Sequence, residues 1–205
     1  MRLELKTGQT IIPAVTQAGI KEYGYDHNDE NDALINSLIQ PATDYVEHIT
    51  GRRMISQSWY IYMNADEYFN RLAAYKNSVT LSTLNVSAIT EVLQFDRNNN
   101  STAITATDYR LSGNVLSAQS QLVFNDNISQ PVTFDLRRVD SIRIEVVAGY
   151  GAAIADIPGT VQTSLKLLAN HWVQFGFRVG KDGLHETPVN FDAMLLPYKS
   201  TETWL

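Results

Sequence analysis

The chain has 205 residues, 44% of them hydrophobic, and 16 Lys and Arg against 22 Asp and Glu give a net charge of −6. Those apolar residues suffice for the core of one domain, or of one domain with an insertion. The charge has the wrong sign for a surface that grips nucleic acid by displacing counterions, and the absence of cysteine excludes disulfides, thiolate catalysis and zinc–sulfur sites.

The N-terminal stretch "MRLELKTGQTIIPAV" has no apolar signal-peptide core, and no run in the chain is long enough to span a bilayer. A chain made and folded in a cytoplasm, with no membrane partner, is expected. The Asn-x-Ser/Thr matches at Asn85, Asn100 and Asn127 are read as chance in such a chain.

The first periodic segment is "DENDALINSLIQPATDYVEHITGRR". Leu34, Ile35, Leu38, Ile39, Ala42, Tyr45, Val46 and Ile49 recur at three- and four-residue steps and predict one apolar helix face. Asp29, Glu30 and Asp32 complement the dipole at its start, and Gly51 stands where a terminating glycine belongs. Pro41 lies inside and predicts a bend near Gln40.

From Ser56 to Ala148 the pattern changes. "SWYIYMN", "AITEVLQF", "DYRLSG", "SQLVF" and "SIRIEVVAG" are short, rich in β-branched and aromatic residues, and separated by Asn, Asp, Gly and Ser. "DRNNNS" from Asp96 to Ser101 is the clearest hairpin turn. Ile142, Ile144 and Val146 alternate with Arg143 and Glu145, which predicts a strand with one buried and one wet face. "ADEYFNRLAAYKNS" fits a short helix carrying Tyr68, Leu72 and Tyr75, or a long loop.

The helical period returns after Pro158. Val161, Leu165, Leu168, Trp172 and Phe175 are spaced four, three, four and three, a tight seam. Pro158 suits a first turn, and the helix ends in the region of Gly176 and Gly180. A last short helix with Phe191, Met194, Leu195 and Leu196 follows Pro188. The predicted fold class is therefore α+β: a small helical bundle from residues 1–55 and 149–205, with a C-terminal arm, and an inserted antiparallel β-rich subdomain over 56–148.

"GYGAAI" supplies Gly149 and Gly151 between a strand and a helix, but Ile154 stands where a dinucleotide loop wants a small residue, and the Lys-Ser/Thr ending of a P-loop is missing. The helix also begins late, so the loop is read as a turn whose glycines permit positive φ. "DHNDENDALINS" places Asp26, Asn28, Glu30 and Asp32 at calcium-loop spacing. Asn31 and Ser37, however, occupy the positions that need glycine and a closing glutamate. His27, His48, His171 and His185 have no metal-ligand spacing. No nucleophile elbow exists, and the pairs Asp66–Glu67 and Asp135–Asp140 carry no stated distance. The doublets Arg52-Arg53 and Arg137-Arg138 are read as the solvated ends of a helix and of a strand in preference to a partner site. Trp204 and Leu205 end a polar tail, as a loose terminus or as an anchor for a partner's pocket.

Four stretches, in order, resemble the head–tail connector, or adaptor, family of long-tailed bacteriophages and gene transfer agents. They are "DENDALINSLIQPATDYVEHITGRR" with the following "ISQSWYIYM", then "VVAGYGAAIADIP", "VQTSLKLLANHWVQ" and "TPVNFDAMLLPYK". The middle, from about Asn64 to Asp140, matches only in general β character. Pro41 departs from the family's helix, and "NADEYFNRLAAYKNS" is extra.

The resemblance implies a structural virion protein of the neck that catalyses no reaction and needs no cofactor or metal. It implies a ring of about twelve copies beneath the portal, closed by head-to-tail contacts. The ring would extend the channel through which double-stranded DNA passes and would present a platform to the stopper, or head-completion, protein. A modestly acidic chain without a basic stripe suits a channel in which DNA must slide. Tyr198, Trp204 and Leu205 become candidates for docking on the portal protein. Leu38, Tyr45, Leu165, Leu168 and Trp172 become candidates for helix packing and contacts between copies. Two other readings stand beside this one: a β-rich binding module with a pocket lined by aromatics such as Trp59, Tyr60 and Tyr62, and a small hydrolase.

Overall fold

The computed structural model describes residues 1–24, 29–64, 77–81, 84–113, 116, 120–125, 139–175 and 189–200. The chain forms two compact units, one from Met1–Thr10 with Ser56–Gly149 and one from Ile11–Ile55 with Tyr150–Leu205.

In the first unit the described strands all pair antiparallel. Its strands are β1 (Arg2–Leu5), β2 (Gln57–Met63), β3 (Ser78–Leu81), β4 (Val86–Phe95), β5 (Ser101–Ala103), β6 (Tyr109–Ser112), β7 (Ser120–Phe124) and β8 (Ile142–Ala148). They form a five-stranded sheet in the order β1-β2-β8-β4-β5 and a three-stranded sheet in the order β3-β7-β6. One core joins the two sheets: Ile61, Met63, Val92, Ile142, Ile144 and Val146 from the larger, and Val79, Leu81, Leu122 and Phe124 from the smaller. Burial of such side chains contributes about 1.5–3 kcal/mol each.

Local chemistry sets the turns. Asp96 organises the expected hairpin between β4 and β5, its Oδ1 accepting from the amides of Asn98 and Asn100 at 2.8 Å each. Asn99 there takes the left-handed conformation with φ 65°, which asparagine tolerates well.

Two expectations are corrected in this unit. The first ten residues, expected with the helices, belong to the β unit, because "RLEL" pairs with β2 from Arg2↔Tyr62 to Leu5↔Trp59. Glu145, expected on a wet face, is buried at 7% exposure. Strand β8 lies between β2 and β4 in the sheet, and the Lys6 ammonium closes over the carboxylate at 2.6 Å.

The second unit is helical: α1 (Gln17–Gly24), α2 (Asp32–Thr50), α3 (Gly159–Phe175) and α4 (Val189–Leu195). Thr16 caps α1, its Oγ1 accepting from the Gly19 amide at 3.0 Å and filling an orphan donor of the first turn. Helix α2 continues through Pro41 and ends at Gly51, left-handed at φ 69°, whose amide donates to the Glu47 carbonyl at 2.9 Å. Helix α3 packs against α1, α2 and α4. Its stripe of Val161, Leu165 and Leu168 is fully buried, together with Ile35, Ala42 and Val46 of this unit.

Among the described residues no helix is long and apolar enough to cross a membrane. The segment around Tyr68, Leu72 and Tyr75, the Phe175 side chain and the glycines at 176 and 180 lie outside the described residues.

Candidate docking surfaces

The C-terminal end of α2 gathers a polar network. Glu47, in the last turn, is buried at 7% exposure. Its Oε2 accepts from Arg53 Nη1 at 2.6 Å and its Oε1 from the Met54 amide at 2.8 Å. Arg52, expected as a solvated helix end, is instead 3% exposed, and its Nε donates to the Tyr198 carbonyl at 2.7 Å. One turn on, the Ser200 amide donates to the Thr50 carbonyl at 2.9 Å. A buried guanidinium requires strong acceptors, and the chain supplies one from 146 residues away. The 3-10 turn Leu196–Tyr198 is thereby seated on the end of α2, with Leu196 left 66% exposed.

Tyr198 is the one portal-docking candidate among the described residues; Trp204 and Leu205 lie outside them. Of the packing candidates, Leu38, Leu165 and Leu168 are buried within the helical unit. Tyr45 and Trp172 sit at its margin, their rings edge-on at 6.0 Å, and the Tyr45 ring lies 6.0 Å from that of Phe191. Tyr45 keeps 37% of its surface and Leu34 keeps 44%. Together with exposed Pro41 they mark one flank of α2, since positions 34, 41 and 45 share a helix face.

Two sequence motifs resolve at the atomic level. In the strand-to-helix loop Gly149 has φ 142°, as a turn glycine should. Gly151 is required for a different reason: a Cβ there would collide with the Asp156 side chain. The Asp156 carboxylate accepts from the Ala153 amide at 2.9 Å, so the loop's donor is taken by an internal acid. At the start of α2, Lys21 Nζ lies 2.8 Å from both Asp29 and Asp32, and these two bonds raise the lysine pKa above its ordinary value. An ammonium therefore occupies the place a cation would take between these acids; Asp26 and Asn28 lie outside the described residues.

The outer face of the five-stranded sheet alternates cations and rings. Arg2 stands 4.4 Å from the Tyr62 ring centroid, and Arg143 stands 4.6 Å from that of Tyr60 and 5.8 Å from that of Phe95. An open cleft of about 420 Å³ adjoins it, lined by Met1, Arg2, Tyr62, Asn64, Val139 and Asp140. Of the three aromatics expected to line a ligand pocket, only Tyr62 is among these residues. Among the described residues no group of three or more His, Asp or Glu is placed to hold a metal ion. His48 is exposed and His171 half-buried, while His27, His185, Asp66, Glu67, Asp135, Arg137 and Arg138 lie outside the described residues.

The fold is similar to that of chains in three solved structures. A chain in the neck of an empty gene transfer agent (GTA) particle, computed with C6 symmetry, matches at a TM-score of 0.71 and 17% identity. It covers 100% of this chain and 98% of its own. A chain of the virion of the native gene transfer agent particle matches at 0.70 and 18%, and one in the neck of the native particle computed with C12 symmetry at 0.70 and 20%, both with the same coverage. The fold is shared from end to end. No family model and no curated protein matches the sequence.

Sequence reading missed β1, α1, strand β3 and the burial of Arg52 and Glu145. Signals for the first two were present: "RLEL" alternates with a period of two, and Thr16 is a capping residue before an apolar position at Ile20. Nothing local distinguishes Arg52 from Arg53, because the acceptor that buries it comes from the far end of the chain.

Proposed function

We propose that this chain is a head–tail adaptor: a structural neck protein that assembles as a ring beneath the portal, extends the DNA channel and offers a platform to the stopper. The observation that carries the reading is the full-length likeness. Both units match at once, over 100% of this chain and 98% of the neck chain, which supports a structural role for the chain as a whole. The C6 and C12 symmetries of those particles fit a cyclic assembly with head-to-tail contacts.

The seated turn at Leu196–Tyr198 gives the C-terminal segment a defined point of departure, and this favours the portal-docking role for Tyr198, Trp204 and Leu205. The exposed flank of Leu34, Pro41 and Tyr45, with Trp172 beside it, is a surface for a neighbouring copy. Leu38, Leu165 and Leu168 serve packing within each copy.

The deciding experiment mixes the purified protein with purified portal from the same genome and images the particles by electron microscopy. A ring stacked on the narrow end of the portal, with its copy number, is the expected result. Particles of the two proteins that never associate at high concentration would overturn the adaptor role. Deletion of Lys199–Leu205 is expected to abolish portal binding, and full binding by the truncated chain would remove the arm from the interface.

A further inference from the structure

Register and hydrogen bonding identify two open edges on the five-stranded sheet. Antiparallel strands bond through alternate residue pairs. The Lys6 amide donates to the Ser58 carbonyl at 3.0 Å, which makes Lys6–Ser58 a bonded pair. Stepping by two along the register, Glu4–Tyr60 and Arg2–Tyr62 are bonded as well. The backbone N–H and C=O groups of Leu3 and Leu5 therefore point away from β2. At the opposite edge, Asp96 N donates to Asn100 O and Ile104 N to Val92 O, so Thr102 bonds β4 while the backbone groups of Ser101 and Ala103 point outward. Among the described residues no strand pairs with either edge.

Strand direction decides what can join them. All four neighbouring pairs in the sheet are antiparallel, so in a sheet of five strands β1 and β5 run the same way. A two-fold dimer would set β1 against β1 and leave β5 open. A cyclic rotation about an axis running along the strands instead carries β5 of one copy beside β1 of the next in the same sense, and repetition closes every edge. Unpaired backbone groups of this kind invite strand addition, and a head-to-tail contact that closes is what a ring requires.

We infer that the outward backbone N–H and C=O groups of Leu3 and Leu5 on β1 exchange hydrogen bonds with those of Ser101 and Ala103 on β5 of a neighbouring copy, so that one sheet continues from subunit to subunit around the assembly. The inference rests on the ring reading above. It adds to that reading the contact and its parallel direction.

Proline supplies the test, because it deletes a donor and is tolerated on an edge strand. Leu3→Pro and Ala103→Pro each remove one outward N–H and no bond within the sheet. Each is expected to keep the wild-type circular dichroism spectrum and to lose rings on the portal at least tenfold. Because the chain has no cysteine, Arg2→Cys or Glu4→Cys combined with Ser101→Cys, Thr102→Cys or Ala103→Cys introduces the only thiols. In rings formed on the portal, at least one such pair is expected to oxidise to a ladder of linked copies, while every single variant stays unlinked. Wild-type rings with no cross-link from any pair, or rings undiminished by both prolines, would overturn the inference and leave the adaptor reading standing. A disulfide dimer from Glu4→Cys alone would assign β1 to a two-fold contact and overturn it too. Absence of wild-type rings on the portal would remove the adaptor reading, and this inference with it.

Discussion

Arg52 Nε donates to the Tyr198 carbonyl at 2.7 Å, joining the residue after the cap of α2 to a turn 146 positions further along the chain. The bond is charge-assisted and its donor is 3% exposed, so water cannot replace the lost partner. Arg52→Met keeps the bulk of the stem and deletes the donor. A loss of about 1.5–3 kcal/mol is expected, read as a lower urea midpoint. Faster amide exchange at Ser200, whose N–H is held by Thr50, should accompany it, while β-unit amides keep their protection.

Lys6 and Glu145 form an unequal pair. The lysine side chain keeps 40% of its surface and the glutamate 9%. Removing Lys6 leaves a buried carboxylate without its ammonium, whereas removing Glu145 leaves a lysine that water still reaches. Lys6→Met is therefore expected to lower the denaturation midpoint more than Glu145→Gln, a ranking that urea titration reads directly. The hydrogen bond to Glu145 raises the Lys6 pKa above its ordinary 10.5. A raised lysine pKa stabilises fully below 10.5, and that stability is lost as pH rises through the folded value. Glu145→Gln should flatten that alkaline loss.

Tyr150 has the same sign for a different reason. Burial pushes its hydroxyl from 10.0 up to about 12, against the pull of nearby Arg52. The unfolded chain ionises this tyrosine near pH 10 while the folded chain still holds its proton. Stability present below pH 10 is thus lost between 10 and about 12, by roughly 2–3 kcal/mol at the upper end. Tyr150→Phe cannot ionise, and its midpoint should fall less steeply over that window than the wild type's.

Packing in the helical unit separates interior from margin. Leu165→Ala should cost about 2–5 kcal/mol and Phe191→Ala about 3–5 kcal/mol, since both side chains are fully buried. Leu196→Ala, at 66% exposure, should stay within about 0.5 kcal/mol. Thermal or urea unfolding of the three variants checks the order. A large loss from Leu196→Ala in the isolated chain would mean that its side chain packs internally.

What could be read without coordinates was whatever local spacing dictates. The three- and four-residue steps of Ile35, Leu38, Ala42 and Val46 and of Val161, Leu165 and Leu168 specify the buried faces of α2 and α3, because helical geometry alone places those positions together. Gly51 as the left-handed cap and the Asp96 turn were equally legible, since each depends on neighbours within a few residues. Only the tertiary structure decided the rest. Arg52 and Arg53 are identical in sequence terms, yet one is committed to a carbonyl from the far end of the chain. Glu145 alternates like a surface residue and is buried because its strand is flanked on both sides and capped by Lys6. "RLEL" became an edge strand only by meeting β2. Burial of a charge, and the opening of a sheet edge, depend on which distant segments arrive, and that information is absent from any local window of sequence.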